Sequence, residues 1–273
     1  MPVVPFLGYV ATFLLLPTAI VVFGAFDGQG GITFDYLRAL GEPYVVASFV
    51  HSFVVSAASS VIGAVFGALL AYAVTTGNRD GVLRRIITSA CGVLALFGGV
   101  ALAFAFIATI GGAGLVTVWL GNHGIDIYAH GVWLYELSGL TLVYAYFQIP
   151  LMVLVFLPAL DGVQPQWREA AENLGGTTWD YWRLVAGPLL TPAFLGATLL
   201  LFANAFSAFA TAAALISQGG IIIPLQISGA LSSEVGLGRE NFANALALAM
   251  IVMVAVVMTL YALLQRRTSR WLR

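Results

Sequence analysis

Apolar runs separated by short polar stretches fill almost the whole chain. They cover about residues 5–26, 46–75, 86–110, 138–160, 190–217 and 242–264. A helix of about 20 apolar residues crosses a hydrocarbon core of roughly 30 Å, so each run can span a bilayer. The second is long enough to tilt or to extend beyond it. The pattern predicts an all-α, polytopic membrane protein with six transmembrane helices in a single domain over 1–273. One interruption carries a helical period of its own. In the stretch 161–189, Trp167, Ala170, Ala171 and Leu174 recur at i, i+3, i+4 and i+7 and make one apolar face. Arg168, Glu169, Glu172 and Asn173 form the polar side.

Local signals bound this short helix. Pro165 suits a first helical turn, where its missing N–H is harmless, and Gly175 supplies the left-handed conformation that ends a helix. Arg168 and Glu172 stand four apart and can pair. Thr177, with Asp180 three residues on, is a weaker form of the capping box that opens a following helix. Trp179, Trp182 and Leu189 can hold that helix at the membrane boundary. Alanines at 170 and 171 let the first helix lie deep in a groove of a partner, where bulkier side chains would hold it off. The expected product is a rigid knob fixed to the ends of two transmembrane helices.

Composition narrows the class. The chain is 60% hydrophobic and 8% charged, against roughly 25% charged residues in soluble domains. All eleven basic residues are arginine. With the N-terminus in the cytoplasm, Arg79, Arg84, Arg85, Arg168, Arg183, Arg266, Arg267, Arg270 and Arg273 lie inside, and only Arg38 and Arg239 outside, as the positive-inside rule requires. Both termini and the 161–189 loop are then cytoplasmic. The outer segments hold Asp27, Asp35, Glu42, Asp126, Glu136, Glu234 and Glu240, with interfacial aromatics Trp119, Tyr128, Trp133 and Tyr135. The first run has no basic segment before it and is long enough to span, so it reads as a membrane helix and not as a cleaved leader.

Candidate chemistry is thin. A chain without lysine has no Gly-Lys-Ser/Thr phosphate loop, so any ATP chemistry must come from another chain. The single cysteine, Cys91, excludes an internal disulfide and reads as a small packing residue. His123, Asp126 and His130 share one outer loop and have metal-ligand chemistry, but the expected reading is a solvated loop. His51 is expected to be interfacial or packed. Glu169 and Glu172 lack a pocket or nucleophile that would make them an acid/base pair. No catalytic group, metal site or nucleic-acid partner is expected.

Within the runs, Gly63 and Gly67, with Ala64, Ala68 and Ala71, let helix backbones approach closely. Gly98-Gly99 marks a flexible or closely packed point. Two polar stripes lie near mid-membrane: Thr141, Tyr144 and Gln148 in the fourth run, and Asn204, Ser207 and Thr211 in the fifth, each at i, i+3 and i+7. Polar groups facing lipid are costly. The stripes therefore border a translocation path or hydrogen-bond between packed helices, and both readings stand. Pro150 follows Gln148 and is placed to free carbonyls toward a cavity. No carboxylate lies in mid-span, which suits a neutral or anionic solute.

Glu169-Ala170-Ala171, three residues, Gly175, a step of thirteen to Pro188 and four more to Pro192 form a series between the fourth and fifth of six runs. This series resembles the signature of permease subunits of type I binding-protein-dependent ATP-binding-cassette importers, and the resemblance covers the whole chain. It implies the type I importer permease fold and a bacterial cytoplasmic (inner) membrane location. It implies two cytoplasmic ATP-binding-cassette ATPases carrying ATP and Mg, a second permease subunit, homologous or identical, and an extracytoplasmic substrate-binding protein. This chain would bind no cofactor. By match, coupling to the ATPases through the 165–188 loop falls on Glu169, Ala170, Ala171 and Gly175, with Trp167 and Leu174 completing the face.

Leu16-Pro17 and the stretch Ile32-Thr33-Phe34-Asp35-Tyr36 resemble the branch serving polyamines, ferric ion, thiamine and phosphonates; molybdate and sulfate permeases share its plan. Gly187 departs from the family, which often has an aliphatic residue before the proline, and slightly looser packing is expected there. The alternative is a secondary transporter driven by an ion gradient. It calls for mid-membrane carboxylates or broken helices in two related repeats, neither of which is evident in the sequence.

Overall fold

The computed structural model describes residues 3–28, 31–77, 81–129, 131–216, 221–232 and 239–269; the expectations that rest on Arg79, His130, Glu234, Arg270 and Arg273 lie outside them. In chain order the helices are α1 (Val3–Val10), α2 (Leu16–Gly24), α3 (Asp35–Ala39), α4 (Pro43–Thr76), α5 (Val82–Leu96), α6 (Gly99–Ile110), α7 (Leu115–Asn122), α8 (Leu137–Asp161), α9 (Pro165–Asn173), α10 (Thr178–Tyr181), α11 (Gly187–Phe206), α12 (Ala210–Leu215), α13 (Ile223–Leu231) and α14 (Arg239–Ser269). One π turn, Ala11–Leu15, joins α1 to α2, and another, Trp182–Ala186, joins α10 to α11. Two short strands, β1 (Asp27–Gly28) and β2 (Gly31–Ile32), form an antiparallel hairpin.

Among the described residues six stretches are long and apolar enough to cross a membrane: Phe6–Gly24, Pro43–Thr76, Gly99–Asn122, Leu137–Asp161, Thr178–Phe206 and Glu240–Leu263. Two of them correct the sequence expectation. The single helix expected over 86–110 is broken, because α5 ends at Leu96 and α6 begins at Gly99. Gly99 has φ +70°, a backbone that side chains with a Cβ resist. The crossing stretch runs on through α7 instead. The stretch expected over 190–217 begins at Thr178, since α10 passes through its π turn into α11, and it stops at Phe206.

The chain divides into two compact units, 1–52 with 218–257, and 53–217 with 258–273. In the first unit, Val45, Ile223 and Leu246 form the core, flanked by Leu40, Phe49, Ile227, Phe242 and Met250. The first turn of α13 has N–H groups with no acceptor inside the helix. Ser52 Oγ accepts one of them, from Ile223, at 2.9 Å. Gln226 Nε2 donates to Ser48 Oγ at 2.6 Å. His51 is packed, with Nδ1 3.2 Å from the Ile221 carbonyl.

In the second unit α8 is the axis, with 61% of its crossing window buried. Met152, Val153, Phe156, Leu157 and Leu160 pack there with Ala64 and Ala71 of α4, Cys91 of α5, and Leu190, Ala197 and Leu201 of α11. Gly63 and Gly67 bring α4 against α8. A Cβ at Gly63 would stand 2.5 Å from Gln148 Cβ, and one at Gly67 would stand 2.5 Å from Met152 Cβ and 2.6 Å from the Ile149 carbonyl oxygen. Small residues thus set the distance between the backbones. Gly67→Val is expected to overpack this contact and cost about 1–3 kcal/mol, read as a lowered unfolding temperature in detergent. Gly92→Ala, where a Cβ meets nothing within 4 Å, should leave that temperature unchanged or raise it.

Candidate functional site

The 161–189 loop is built from local backbone chemistry. Gln164 is extended before Pro165 opens α9. At the other end Gly175 takes φ +80°, its N–H donates to the Glu172 carbonyl at 3.0 Å, and the Gly176 N–H donates to the Ala171 carbonyl at 2.9 Å. These two bonds are the Schellman closure of a helix. Thr177 then caps α10: its Oγ1 accepts from the Asp180 N–H, while Asp180 Oδ2 accepts from the Thr177 N–H at 2.9 Å. From Thr178 the chain stays helical to Phe206. The loop is therefore one short helix, a sharp exit, and a long helix running into the membrane.

The expected apolar face of α9 is divided between two environments. Trp167 and Ala171 pack on the core of their own unit, whereas Ala170 is exposed and Leu174 is 88% exposed. Together with Gly176, Asp180, Leu184 and Val185, all four line a groove of about 400 Å³. Arg168 Nε pairs with Glu172 Oε1 at 2.9 Å, and that carboxylate holds the guanidinium above its usual pKa. Glu169 is exposed and makes no ion pair among the described residues. Leu174, Trp179 and Leu184, each at least 70% exposed, give the loop an apolar outer surface.

The junction with the membrane helix is tight. Trp182 stacks edge-on against Tyr72 of α4, ring centroids 5.3 Å apart. The Gly187 N–H reaches back to the Trp182 carbonyl, a π-type bond that makes room for Pro188. A Cβ on Gly187 would stand 2.5 Å from that carbonyl oxygen. The looser packing expected at Gly187 is thus replaced by its opposite: the site has no space for a side chain without a backbone shift. Farther along, Tyr261 Oη of α14 donates to the Pro192 carbonyl at 2.6 Å.

An ion pair that local sequence patterns did not show stands at the root of the loop. Arg84, in the first turn of α5, bonds Asp161, the last residue of α8. The side chains are 17% and 33% exposed. A cation at a helix N-terminus and an anion at a C-terminus each oppose the helix dipole, at a local cost of about 0.3–1 kcal/mol. The signal in the sequence is this misplacement of charge, and it becomes readable only once the helix ends are known.

The two polar stripes meet around a second break. The helix expected to carry Asn204, Ser207 and Thr211 on one face stops at Phe206, and Thr211 belongs to α12. Thr211 Oγ1 accepts the Gly99 N–H at 2.9 Å, and Tyr144 Oη donates to the Ala208 carbonyl at 2.6 Å. Gln148, fully buried, donates from Nε2 to the Leu201 carbonyl at 2.8 Å. Tyr144, Gln148 and Thr211 therefore hydrogen-bond between packed elements. Thr141 bonds the carbonyl of Leu137 in its own helix. Asn204 and Ser207 are exposed. They line a cavity of about 280 Å³ with Ala95, Gly98, Gly99, Phe147 and residues 208–211. Its walls combine the amide and hydroxyls of Asn204, Ser207 and Thr211 with alanine and phenylalanine side chains, and carry no charged side chain. Gly98 and Gly99 belong to this site, and adjacent glycines are the sequence signal for them.

In the segment between α7 and α8, His123 Nδ1 lies 2.7 Å from the Trp119 carbonyl, and Asp126 Oδ1 accepts the Tyr128 N–H at 2.8 Å. No cluster of metal-ligating side chains occurs among the described residues.

Comparison with known proteins bears on this arrangement. Residues 63–273 match the family described as "Binding-protein-dependent transport system inner membrane component". The chain is similar to the sulfate transport system permease protein CysT of Escherichia coli (strain K12), 26% identical over 266 residues covering 96% of this chain and 90% of that protein. It is similar to CysW of the same organism at 25% identity, covering 80% and 72%. Among solved structures, a bacterial ABC transporter involved in the import of the acidic polysaccharide alginate superposes with a TM-score of 0.78 at 18% identity, over 96% of this chain and 93% of that one.

The cavity geometry makes a labelling prediction. In a Cys91→Ala background, cysteines placed at Asn204 and Ser207 should react with a small aqueous thiol reagent, and cysteines at Tyr144 and Gln148 should not. Failure of Asn204→Cys and Ser207→Cys to react in any nucleotide state would mean that this face is packed.

Proposed function

This chain belongs to the family of binding-protein-dependent transport system inner membrane components, the permease subunits of type I ATP-binding-cassette importers, and we propose that it passes a sulfate-like oxyanion and takes its drive through the 165–188 loop. The relatives that share most of its length are named sulfate permeases. They point away from the polyamine, ferric, thiamine and phosphonate branch that Leu16-Pro17 and residues 32–36 suggested. A cavity whose polar groups are neutral and whose remaining lining is apolar suits a solute that must cross without being held by a fixed charge.

Drive enters from outside the chain. Two ATPases, which hold the ATP and Mg, sit under this subunit and a second permease, and a binding protein delivers solute to the outer face. Both termini and the loop face the cytoplasm. The observation that carries this reading is mechanical: α9 exits through a closed Schellman turn into a helix unbroken from Thr178 to Phe206. That helix ends beside the cavity. Closure of the ATPases displaces α9 and tilts that helix, opening the cavity toward the outer face, and hydrolysis resets it. Exposed Glu169, Ala170 and Leu174 form the docking face, while Trp167 and Ala171 tie the helix to its own core.

Broken helices, which a gradient-driven transporter also requires, are present at Gly98 and Ser207. The described membrane helices nevertheless carry no Asp or Glu away from their ends, and family membership favours the ATP-driven reading.

Glu169→Ala and Gly175→Ala should leave membrane insertion intact in the assembled importer. ATP-dependent uptake of radiolabelled sulfate should fall by roughly 5- to 150-fold, the loss of about 1–3 kcal/mol of coupling free energy. Normal uptake in both variants would remove the role assigned to the loop. Wild-type uptake that sulfate neither supplies nor competes with would remove the solute.

A further inference from the structure

We propose that Arg84 and Asp161 are a positioning pair that carries displacement of the coupling loop along α5 to the wall of the membrane cavity. The inference rests on the coupling reading of the loop. Each charge sits at the end of its helix that the dipole disfavours, so neither residue serves the helix that contains it. They bond each other across 77 positions of sequence. Partial burial of both side chains keeps the pair less screened by salt than a surface pair.

The placement gives the pair a mechanical task. Asp161 is the last residue before the short connection, Gly162, Val163 and Gln164, that leads to Pro165 and α9. Val163 and Trp167 on the loop side and Ile87 on α5 pack against the same apolar core. Arg84 thus stands where α9 is tethered. From Val82 to Leu96 α5 has 15 residues, a rod of about 22 Å at 1.5 Å per residue. Its far end delivers Ala95 and Gly98 to the cavity.

A second rod leaves the other end of the loop: Thr178–Phe206 delivers Asn204 and, just beyond, Ser207 to the same cavity. Just beyond the ends of the two rods, the Gly99 N–H at the start of α6 donates to Thr211 Oγ1 of α12. The loop therefore holds both walls of the cavity, one through a continuous helix and one through an ion pair. Breaking the pair removes the polar tie of one wall to the loop, leaves it only the shared apolar packing, and leaves the other wall attached.

The test uses the assembled importer with Cys91→Ala and Ser207→Cys, and compares the thiol labelling rate with and without trapped ATP, alongside ATPase turnover and the unfolding temperature. With the native pair, labelling should differ between the two states. Arg84→Ala and Asp161→Asn should keep ATPase turnover and membrane level, yet erase that difference. Arg85→Ala, an exposed neighbour, should not. The exchange Arg84→Asp with Asp161→Arg restores the pair and places both charges at favourable helix ends, so it should restore the difference at an equal or higher unfolding temperature. An exchange variant that is stable but fails to restore the difference overturns the proposal. Single variants that lower only the unfolding temperature, with the difference intact, overturn it also. If Gly175→Ala still abolishes the difference in that case, the loop keeps its role and the pair alone loses its own. If neither does, the coupling reading falls with it.

Discussion

Within hydrocarbon, a backbone N–H or C=O that leaves a helix must find another partner or line a cavity, because an unpaired buried group costs several kcal/mol. This chain breaks two helices near each other, and the architecture around them answers that demand. Thr211 takes the N–H freed at Gly99, and Tyr144 reaches the carbonyl freed at Ala208. Tyr144 is thereby tied to the neighbouring break, and Asn204 and Ser207 are left to line the cavity. Close packing makes the arrangement possible. Gly63 admits α8 so near to α4 that Gln148, from the same stretch of α8, reaches the Leu201 carbonyl.

Much of this was legible in the sequence because it is local. The 3.6-residue period of Trp167, Ala170, Ala171 and Leu174 gave the short helix, Gly175 its exit, and Thr177 with Asp180 the next start, each decided by residues within one turn. Apolar length gave six crossings. The break at Gly98-Gly99 had a signal in its paired glycines but left open whether they kink, flex or pack. The break after Phe206 had none: Asn204 to Ala210 contains neither glycine nor proline, and the Tyr144 hydroxyl that takes the freed Ala208 carbonyl comes from 64 positions away. The equal spacing of Asn204, Ser207 and Thr211 was therefore read as a helix face that does not exist, although the cavity does gather the three residues. Arg84 and Asp161 were invisible for a different reason, since each charge looks unremarkable until its helix end and its distant partner are both known.

Gly187 shows how a departure from a family pattern acquires meaning from backbone geometry. The π turn ahead of Pro188 brings the Trp182 carbonyl into the volume that a Cβ would fill. A missing side chain there marks crowding by the main chain, and it fixes how the loop enters the membrane helix.

The double closure at residues 171–180, with Gly176 bonded back to Ala171 and Thr177 and Asp180 capping each other, has a thermodynamic consequence for any protein that docks on it. The loop's shape is set by hydrogen bonds within ten consecutive residues and needs no visitor to impose it. Little conformational entropy remains to be lost on association. More of the contact energy is then left to register the partner's movement, and a small exposed surface is enough to grip.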